Sequence, residues 1–241
     1  MSASFSRLAL FCGAGLATAT CHAQAFNVDL EVFSGGEGIG AGAPSSSFGA
    51  AANQRGYWNA AGLLSTPWAL RSLLGQDTAV SLTAEGDQKG DTGGFFFKGN
   101  TGDYARLLND AQNVAPQVDG GSLACVFRGL KPGVYEIFTY AVSPIGNYVE
   151  TPVYVPGGIG AETQVVTGPM PGNAFKYLIT HSIHLVDIDP QEDLRVEFYQ
   201  APSTDVQYVN GFQIVPVPEV PGLLPVILGC AVLVIGRRRI S

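Results

Sequence analysis

The chain has 241 residues, of which 13 are Lys or Arg and 20 are Asp or Glu, giving a formal net charge of −7. It is 46% hydrophobic and only 14% charged, with 31 Gly and 15 Pro. This composition excludes a disordered polyampholyte, a coiled coil and a basic nucleic-acid-binding protein. All acidic residues lie between Asp29 and Glu219, so this part of the chain should be soluble and repel polyanions.

Residues 1–25 have the three parts of a secretory signal peptide. Arg7 provides the basic start, Leu8–Ala19 is a short apolar stretch, and small residues follow at Ala23 and Ala25. This order of charge, apolar segment and small-residue cleavage site is typical of exported proteins. The apolar stretch is too short to cross a bilayer comfortably. We therefore expect export, with cleavage after Ala23 or Ala25.

The central region, residues 26–214, is a series of short β-rich segments separated by Gly, Pro, Asn and Asp. Apolar and charged residues alternate at Leu194–Phe198, whereas both faces of Val134–Val142 are apolar, which favours a central strand. Many short strands with frequent turns predict an all-β domain, a single jelly-roll-like antiparallel β-sandwich. The predicted strands are Phe26–Phe33, Ala79–Ala84, Gly94–Lys98, Ser122–Phe127, Val134–Ser143, Thr151–Val155, Thr163–Thr167, Tyr177–Asp187, Leu194–Gln200 and Tyr208–Val215.

Two features interrupt the strand pattern. One short helix is predicted at Asp103–Ala111, with Asp103 as its N-cap. The Gly-rich segment Ser34–Gly56 has few residues that could form a core. We therefore expect this segment to be a long mobile or ligand-facing loop.

The C-terminal region combines a Pro-rich linker, an apolar segment and a basic end. The linker Val215–Pro221 is held extended by its prolines, and Gly222–Gly236 precedes three arginines, Arg237–Arg239. Fifteen apolar residues form about 22 Å of helix, against a hydrocarbon core of about 30 Å. Residues 222–241 are therefore predicted as a marginal transmembrane helix with an arginine stop. The arginines belong on the cytoplasmic side, which leaves the acidic domain outside.

This three-part end resembles the PEP-CTERM sorting signal of bacteria. The motif is Pro218, Glu219, Val220 and Pro221, with Val220 where the family has its second proline. The resemblance covers about a tenth of the chain, Val217–Arg239. It implies export to the cell envelope or extracellular matrix and processing by the membrane protease exosortase. A plain tail anchor in the membrane is the alternative.

Segments of the central domain resemble ectodomains found upstream of such signals and galactose-binding-like jelly rolls. The segments are Phe26–Asp29, Gly56–Asn59, Gly129–Tyr140 and Val209–Ile214. The resemblance implies a β-sandwich of carbohydrate-binding type and does not identify a ligand.

Sugar binding needs flat apolar ring faces for C–H stacking and planar polar side chains for the hydroxyl groups. Tyr57, Trp58 and Asn59 supply such a set beside the Gly-rich segment. They are the candidate ligand-binding residues. The alternative is that Trp58 fills the core, because Trp is usually largely buried.

Four acidic residues are concentrated at a predicted strand–turn–strand junction: Asp187, Asp189, Glu192 and Asp193. Carboxylate oxygens are the ligands that calcium prefers, so these are the candidate metal ligands and calcium is the candidate cofactor. A solvated turn is the alternative, since acids are common in turns. Paired acids of this kind also suit a secreted glycan-directed hydrolase, which is the alternative function.

Other chemistry-bearing residues fit structural roles. In a strand, His181 and His184 would point to opposite faces, which does not suit a shared metal ion. Cys125 lies in an apolar strand and is predicted to be a buried, unreactive thiol. The sequence has no serine nucleophile elbow and no phosphate-binding loop. It therefore predicts a non-enzymatic structural or adhesive protein, with polysaccharide as a candidate partner and no nucleic acid.

Overall fold

The structure is a computed structural model that describes residues 24–30, 42–62, 66–86, 92–94, 99–113, 122–144, 146–170, 172–199 and 207–218. In chain order, its elements are β1 (Phe26–Asp29), β2 (Trp58–Ala60), β3 (Trp68–Arg71), β4 (Asp77–Gly86), β5 (Thr92–Gly94), α1 (Gly102–Leu108), β6 (Asp110–Asn113), β7 (Ser122–Arg128), β8 (Gly133–Tyr140), β9 (Thr151–Tyr154), β10 (Gly158–Ile159), β11 (Thr163–Val166), β12 (His181–Ile188), β13 (Leu194–Tyr199), β14 (Tyr208–Val209) and β15 (Gly211–Pro216).

Two large sheets form a sandwich. Sheet A has the strand order β10-β12-β8-β15-β1-β2, and sheet B has the order β11-β9-β13-β7-β4-β3. From β7 to β13 the chain passes from one sheet to the other at every strand. A third, smaller sheet has the strand order β14-β6-β5. Its strand β14 directly precedes β15 of sheet A in the chain. The predicted β-sandwich is confirmed.

The core lies between the inner faces of sheets A and B. Phe127 and Phe198 of sheet B reach across to Phe212 of sheet A, with ring centroids 5.3 and 6.5 Å apart. The alternation predicted for β13 is confirmed, since Leu194, Val196 and Phe198 are buried. Strand β8 lies between β12 and β15, as its two apolar faces predicted. Alternating side chains thus carry the packing that holds the two sheets together.

The antiparallel prediction is wrong at one edge, because β1 and β2 pair in parallel. The connection between them leaves sheet A after Leu30, and the chain re-enters beside β1 at Trp58. Parallel neighbours require a long crossover, and the 27 residues between Leu30 and Trp58 are enough to provide it.

Several element boundaries differ from the predicted ones. The helix begins at Gly102, so Thr101 rather than Asp103 is its N-cap, and Thr101 makes no capping hydrogen bond with its side chain. Strand β12 begins at His181 rather than Tyr177, because Leu178 has a positive φ of 60° and turns the chain there. The strands β2, β3, β6 and β10, each of two to four residues, were not predicted.

The Gly-rich segment is packed over the part that the structure describes, while its residues 34–41 lie outside the described residues. The predicted mobile or ligand-facing loop stays a prediction. Residues 42–57 lie against the outer face of sheet A, where Phe48 and the small residues Ala50–Ala52 contact the core. The tight turn Ser45–Phe48 is closed by a hydrogen bond from the Phe48 N–H to the Ser45 carbonyl, 3.0 Å. Small side chains allow this close approach to the sheet.

Asn210 and Gly211 join three parts of the fold. The Asn210 side-chain oxygen accepts from the Val142 N–H at 2.8 Å, and its amide donates to the Asp110 carbonyl at 2.8 Å. A Cβ atom on Gly211 would come within 2.4 Å of the Val28 carbonyl oxygen. Only glycine therefore lets β15 approach β1 so closely.

Both predicted targeting segments lie outside the described residues. These are the signal peptide up to residue 23 and the segment from residue 219, which includes Glu219, Val220 and Pro221. Within the described ranges, the chain forms no helix of the length and apolarity needed to span a membrane. Of the predicted processing residues, Ala25 directly precedes β1 and Pro218 directly follows the hydrogen-bonded Val217.

Candidate functional site

The structure separates the three residues predicted to bind sugar. Trp58 is only 3% exposed and lies on the outer side of sheet A, covered by Phe48. The ring centroids of these two residues are 6.1 Å apart, and the indole N–H donates to the Phe48 carbonyl at 3.1 Å. Trp58 thus has the core-filling environment that the sequence left open as an alternative.

Asn59 points inward and links the two sheets. Its side-chain oxygen accepts from the Arg71 N–H at 2.7 Å, and its amide donates to the Arg71 carbonyl at 2.9 Å. The same amide also donates to the Asn27 carbonyl at 3.0 Å. Both amide protons and one oxygen lone pair are therefore used by the backbone of β1 and β3.

Tyr57 is the member of the set that reaches the surface, with 37% exposure. The Arg71 guanidinium lies 5.9 Å from its ring centroid, and the Arg71 Nε donates to Asp77 at 3.0 Å. This contact is within the range of a cation–π interaction. Sugar binding by Tyr57, Trp58 and Asn59 stays a prediction, and Tyr57 is the residue whose surroundings suit it.

The four acidic residues predicted to bind calcium form an exposed turn. The Glu192 N–H donates to the Asp189 carbonyl at 3.1 Å, and the Glu192 carboxylate accepts from the Asp189 N–H at 3.0 Å. Asp193 instead pairs with Arg128 at 3.2 Å, while Asp187 is exposed at the end of β12. Within the described part of the chain, no three His, Cys, Asp or Glu side chains are placed to hold a metal ion. Calcium at this turn stays a prediction.

The two histidines of β12 point to opposite sides of sheet A, as predicted. His181 is opposite Tyr140 and lies among aromatic rings on the outer side, stacked on Phe138 at 5.9 Å between centroids. His184 is opposite Ile137 and lies inside the sandwich. Burial lowers the pKa of each imidazole to about 4, so both are neutral at pH 7. Neither shares a cluster that could hold a metal with other described residues.

Cys125 is completely buried in β7. Burial raises the pKa of its thiol, because the thiolate loses its hydration. The predicted burial of the Cys125 thiol is confirmed, and its lack of reactivity stays a prediction.

The outer face of sheet B carries a group of charged and aromatic side chains. It is called here the tyrosine–arginine face, and it consists of Glu85, Arg128, Tyr154, Arg195, Glu197 and Tyr199. Strand pairing brings the residues together, because directly opposite residues on antiparallel strands share a face. Glu85 and Glu197 are both opposite Ala124, and Glu197 is also opposite Tyr154.

Ion pairs connect the strands of the tyrosine–arginine face. Glu85 lies between the two arginines, with one oxygen 2.5 Å from Arg128 and the other 2.7 Å from Arg195. Arg195 also donates to Glu197 at 3.0 Å. The side chains of both arginines and of Glu85 are 38–43% exposed, so the network is open to solvent. The hydrogen bond from Arg195, with a further one from Arg128, outweighs desolvation and lowers the pKa of Glu85.

Two tyrosines lie at one end of this network. Tyr154 and Tyr199 are on neighbouring strands, with ring centroids 5.9 Å apart and planes tilted by 46°. The Tyr199 hydroxyl donates to Glu197, which raises the pKa of Tyr199 to about 12. The ring of Tyr199 is 44% exposed. The face therefore offers aromatic surface beside planar hydrogen-bonding groups.

Sequence reasoning identified only part of this face. The alternation in Leu194–Phe198 predicted that Arg195 and Glu197 point outward together, which the structure confirms. It did not predict that Tyr154 and Glu85 lie on the same face, because these residues come from β9 and β4, far away along the chain. The one signal in the sequence was the continuation of the same alternation to Tyr199.

Comparisons with known proteins give only weak likenesses. No protein-family model matches the chain, and neither does any curated protein. Among solved structures, a GH26-CBM35 β-(1,4)-mannanase from Podospora anserina is similar with a TM-score of 0.34 and 12% identity, over 58% of this chain and 29% of that one.

Two further structures are similar to a comparable extent. The CBM35 from Cellvibrio japonicus Abf62 has a TM-score of 0.28 and 13% identity, over 56% of this chain and 95% of that one. An exo-β-1,3-galactanase from Phanerochaete chrysosporium, solved with β-1,3-galactotriose, has a TM-score of 0.28 and 13% identity, over 60% of this chain and 31% of that one. The chain thus spans less than a third of the mannanase and of the galactanase. None of these likenesses assigns a ligand or an activity to this chain.

Proposed function

We propose that this protein is an exported, non-catalytic protein of the cell envelope or extracellular matrix that binds polysaccharide on its tyrosine–arginine face. The observation that carries the proposal is the pair of rings formed by exposed Tyr199 and half-buried Tyr154, beside a surface network of arginine and glutamate. This is the combination of ring faces and planar polar groups that sugars require.

The dimensions of the face suit an extended chain. Thr163, Tyr154, Glu197, Ala124 and Glu85 form one row across five neighbouring strands. Neighbouring strands are about 4.8 Å apart, so the row is about 19 Å long. A polysaccharide segment of several sugar units can lie along it, with ring contacts at one end and hydrogen bonds at the other.

The state of the carboxylates favours binding over hydrolysis. A glycosidase needs a carboxylic acid that donates a proton, and such an acid has a raised pKa. Glu85 has a lowered pKa because it accepts hydrogen bonds from Arg195 and Arg128. Glu197 also accepts hydrogen bonds, from Arg195 and Tyr199. Both carboxylates of the face therefore serve as hydrogen-bond acceptors.

The cellular location is proposed from the ends of the sequence. The signal peptide directs export, and the segment from Val217 to Arg239 acts as a PEP-CTERM-like sorting signal, with exosortase as the processing partner. Mass spectrometry of the envelope-localised protein tests this, since processing removes Arg237–Arg239. An intact C-terminus in washed inner membranes would instead indicate the plain tail anchor.

Affinity electrophoresis of the full-length protein in gels containing polysaccharide tests the binding. We expect retardation by at least one polysaccharide and no release of reducing ends. Tyr199→Ala should weaken binding about 10-fold, since stacking on one aromatic ring contributes about 1–1.5 kcal/mol. Tyr148→Ala is the matched control, because Tyr148 is exposed but lies outside the face. Equal affinities of the two variants would contradict the proposal.

Two further experiments test the sugar-binding and calcium-binding sites that the sequence predicted. Tyr57→Ala shows whether the exposed ring beside Arg71 adds to binding. A thermal melt with and without calcium tests the acidic turn, where a calcium-dependent rise in the melting temperature that Asp189→Asn abolishes would indicate a site.

A further inference from the structure

We infer that the tyrosine–arginine face selects uncharged, hydroxyl-rich glycans over polyanionic ones with the same backbone. This inference rests on the proposed function, because it specifies which polysaccharide the same face accepts. Three properties of the face support it: how its charges are paired, what net charge results, and which hydrogen-bonding capacity remains.

Each charged side chain of the face already has a partner of opposite charge. Arg128 pairs with Glu85 at 2.5 Å and with Asp193 at 3.2 Å. Arg195 pairs with Glu85 at 2.7 Å and with Glu197 at 3.0 Å. A sugar carboxylate could therefore bind an arginine only by competing with a carboxylate already in place. That exchange leaves a protein carboxylate without its cation.

The net charge of this surface also disfavours polyanionic glycans. The two arginines pair with three carboxylates, Glu85 and Glu197 of the face and the adjoining Asp193, so these five side chains carry one more negative than positive charge. The whole chain is also acidic, with a formal net charge of −7. A polyanion therefore approaches against a repulsive field at low ionic strength.

The paired groups still have hydrogen-bonding capacity for hydroxyl groups. A guanidinium has five N–H donors and a carboxylate has about four lone-pair sites. Toward the residues that the structure describes, Arg195 donates from its Nε and Nη1 nitrogens, and each oxygen of Glu85 accepts from one arginine. A sugar hydroxyl is both donor and acceptor, so it can bind these remaining positions without breaking an ion pair. A neutral sugar can at the same time stack on Tyr154 and Tyr199.

The test compares two polymers that share a backbone and differ in charge through methyl esterification of the carboxylate. Full-length protein is run in affinity electrophoresis against polygalacturonate and against its fully methyl-esterified form, at about 20 mM and about 200 mM salt. We expect at least 10-fold tighter binding of the ester at the lower salt concentration and a smaller ratio at the higher one, because salt screens the repulsion. A neutral mannan and a polymannuronate form a second matched pair.

One variant reverses the selectivity. Glu85→Gln removes the carboxylate shared by Arg128 and Arg195, so it frees cationic hydrogen-bond donors for a sugar carboxylate. We expect the ratio of polyanion affinity to ester affinity to rise at least 5-fold over that of the unmodified protein. Asp77→Asn is the control, since it removes a carboxylate outside the face, where Asp77 pairs with Arg71.

The possible failures are distinguishable. Equal or tighter binding of the polyanion by the unmodified protein at low salt, with Tyr199→Ala weakening it, would overturn the selectivity and leave the proposed function standing. An unchanged preference in Glu85→Gln would also count against the selectivity. Absence of binding to every polymer, charged or neutral, would overturn the proposed function itself.

Discussion

The outer faces of the two sheets differ in what covers them. On sheet A, residues 42–57, α1 and the segment before β12 cover the face around Trp58 and Tyr140. On sheet B, the tyrosine–arginine face meets solvent directly, with half-exposed arginines and rings. Both faces carry aromatic side chains. The difference shows that aromatic residues are covered by other parts of the chain on one face and reach solvent on the other.

The covered face contains a second, aromatic core. Tyr104 stacks on Phe175 with centroids 4.9 Å apart, and Phe48 meets Tyr104 edge-on at 5.0 Å. Tyr140 of β8 lies 5.4 Å from Phe175. Close contacts of this kind, between buried Tyr140 and the half-buried rings around it, contribute to stability both through area and through geometry. The comparison therefore predicts large stability effects on sheet A and small ones on sheet B.

Trp58→Ala is expected to have the largest effect on stability. It removes a buried indole and the hydrogen bond that the indole donates to Phe48, so it should cost about 3–5 kcal/mol of unfolding free energy. Urea denaturation monitored by far-UV circular dichroism measures this. Tyr199→Ala on the open face is the control and should cost less than about 1 kcal/mol. Similar losses for the two variants would break the contrast between the faces.

The environment of Trp58 shows what the sequence could and could not predict. Alternation over β13 and the two apolar faces of β8 correctly predicted strands and their burial. No local pattern predicted that residues 42–57 pack on sheet A, because few apolar side chains interrupt their Gly, Ala and Ser residues. Besides the ring contacts of Phe48, this segment is attached by hydrogen bonds to Gln213, more than 150 positions away.

Gln213→Ala should have the second largest effect, because that glutamine attaches the covering segment. Its side-chain oxygen accepts from the Ala52 N–H at 3.1 Å and from the Tyr140 hydroxyl at 2.5 Å, and its amide donates to the Gly49 carbonyl at 3.0 Å. Leaving buried donors and acceptors unpaired costs about 1–3 kcal/mol. We expect a loss of about 2–3 kcal/mol and earlier proteolytic cleavage within residues 42–57. An unchanged cleavage rate would show that the segment is held by its rings alone.

The loss of stability in acid provides a third test of this comparison, because His181 and His184 lie on opposite sides of β12. The folded-state pKa of His181 and His184 is about 4, below the unfolded value of about 6.5. Each neutral imidazole therefore contributes stability that is complete above pH 6.5 and is lost as the pH falls towards 4. We expect a loss of up to about 2 kcal/mol per histidine between pH 7 and pH 4.5.

Urea midpoints of the two single variants, His181→Gln and His184→Gln, measure these contributions. Each variant should flatten the pH dependence between 7 and 4.5 relative to the unmodified protein. His184 lies between the sheets and His181 beneath the aromatic cover, so the two slopes compare the two cores directly. A slope unchanged in both variants would contradict the burial of the imidazoles as its cause.

The candidate site was harder to predict than the fold for a related reason. The sequence singled out Tyr57, Trp58 and Asn59 because ring and amide are adjacent there, but neighbouring residues on a strand point to opposite faces. The structure accordingly buries Trp58 on one side and Asn59 on the other. Tyr154 and Tyr199 share a face through strand pairing, which no spacing in the sequence indicates.

Arg195→Met should have the smallest effect on stability, although Arg195 forms two ion pairs. Its side chain is 38% exposed, and surface ion pairs of this kind contribute about 0–1 kcal/mol because water and salt screen them. The methionine keeps most of the apolar contact over β7. We therefore expect a loss below about 1 kcal/mol in urea, together with weaker binding of a neutral polysaccharide in affinity electrophoresis. Loss of stability comparable to that of Trp58→Ala would mean that the network holds sheet B together rather than presenting donors to a ligand.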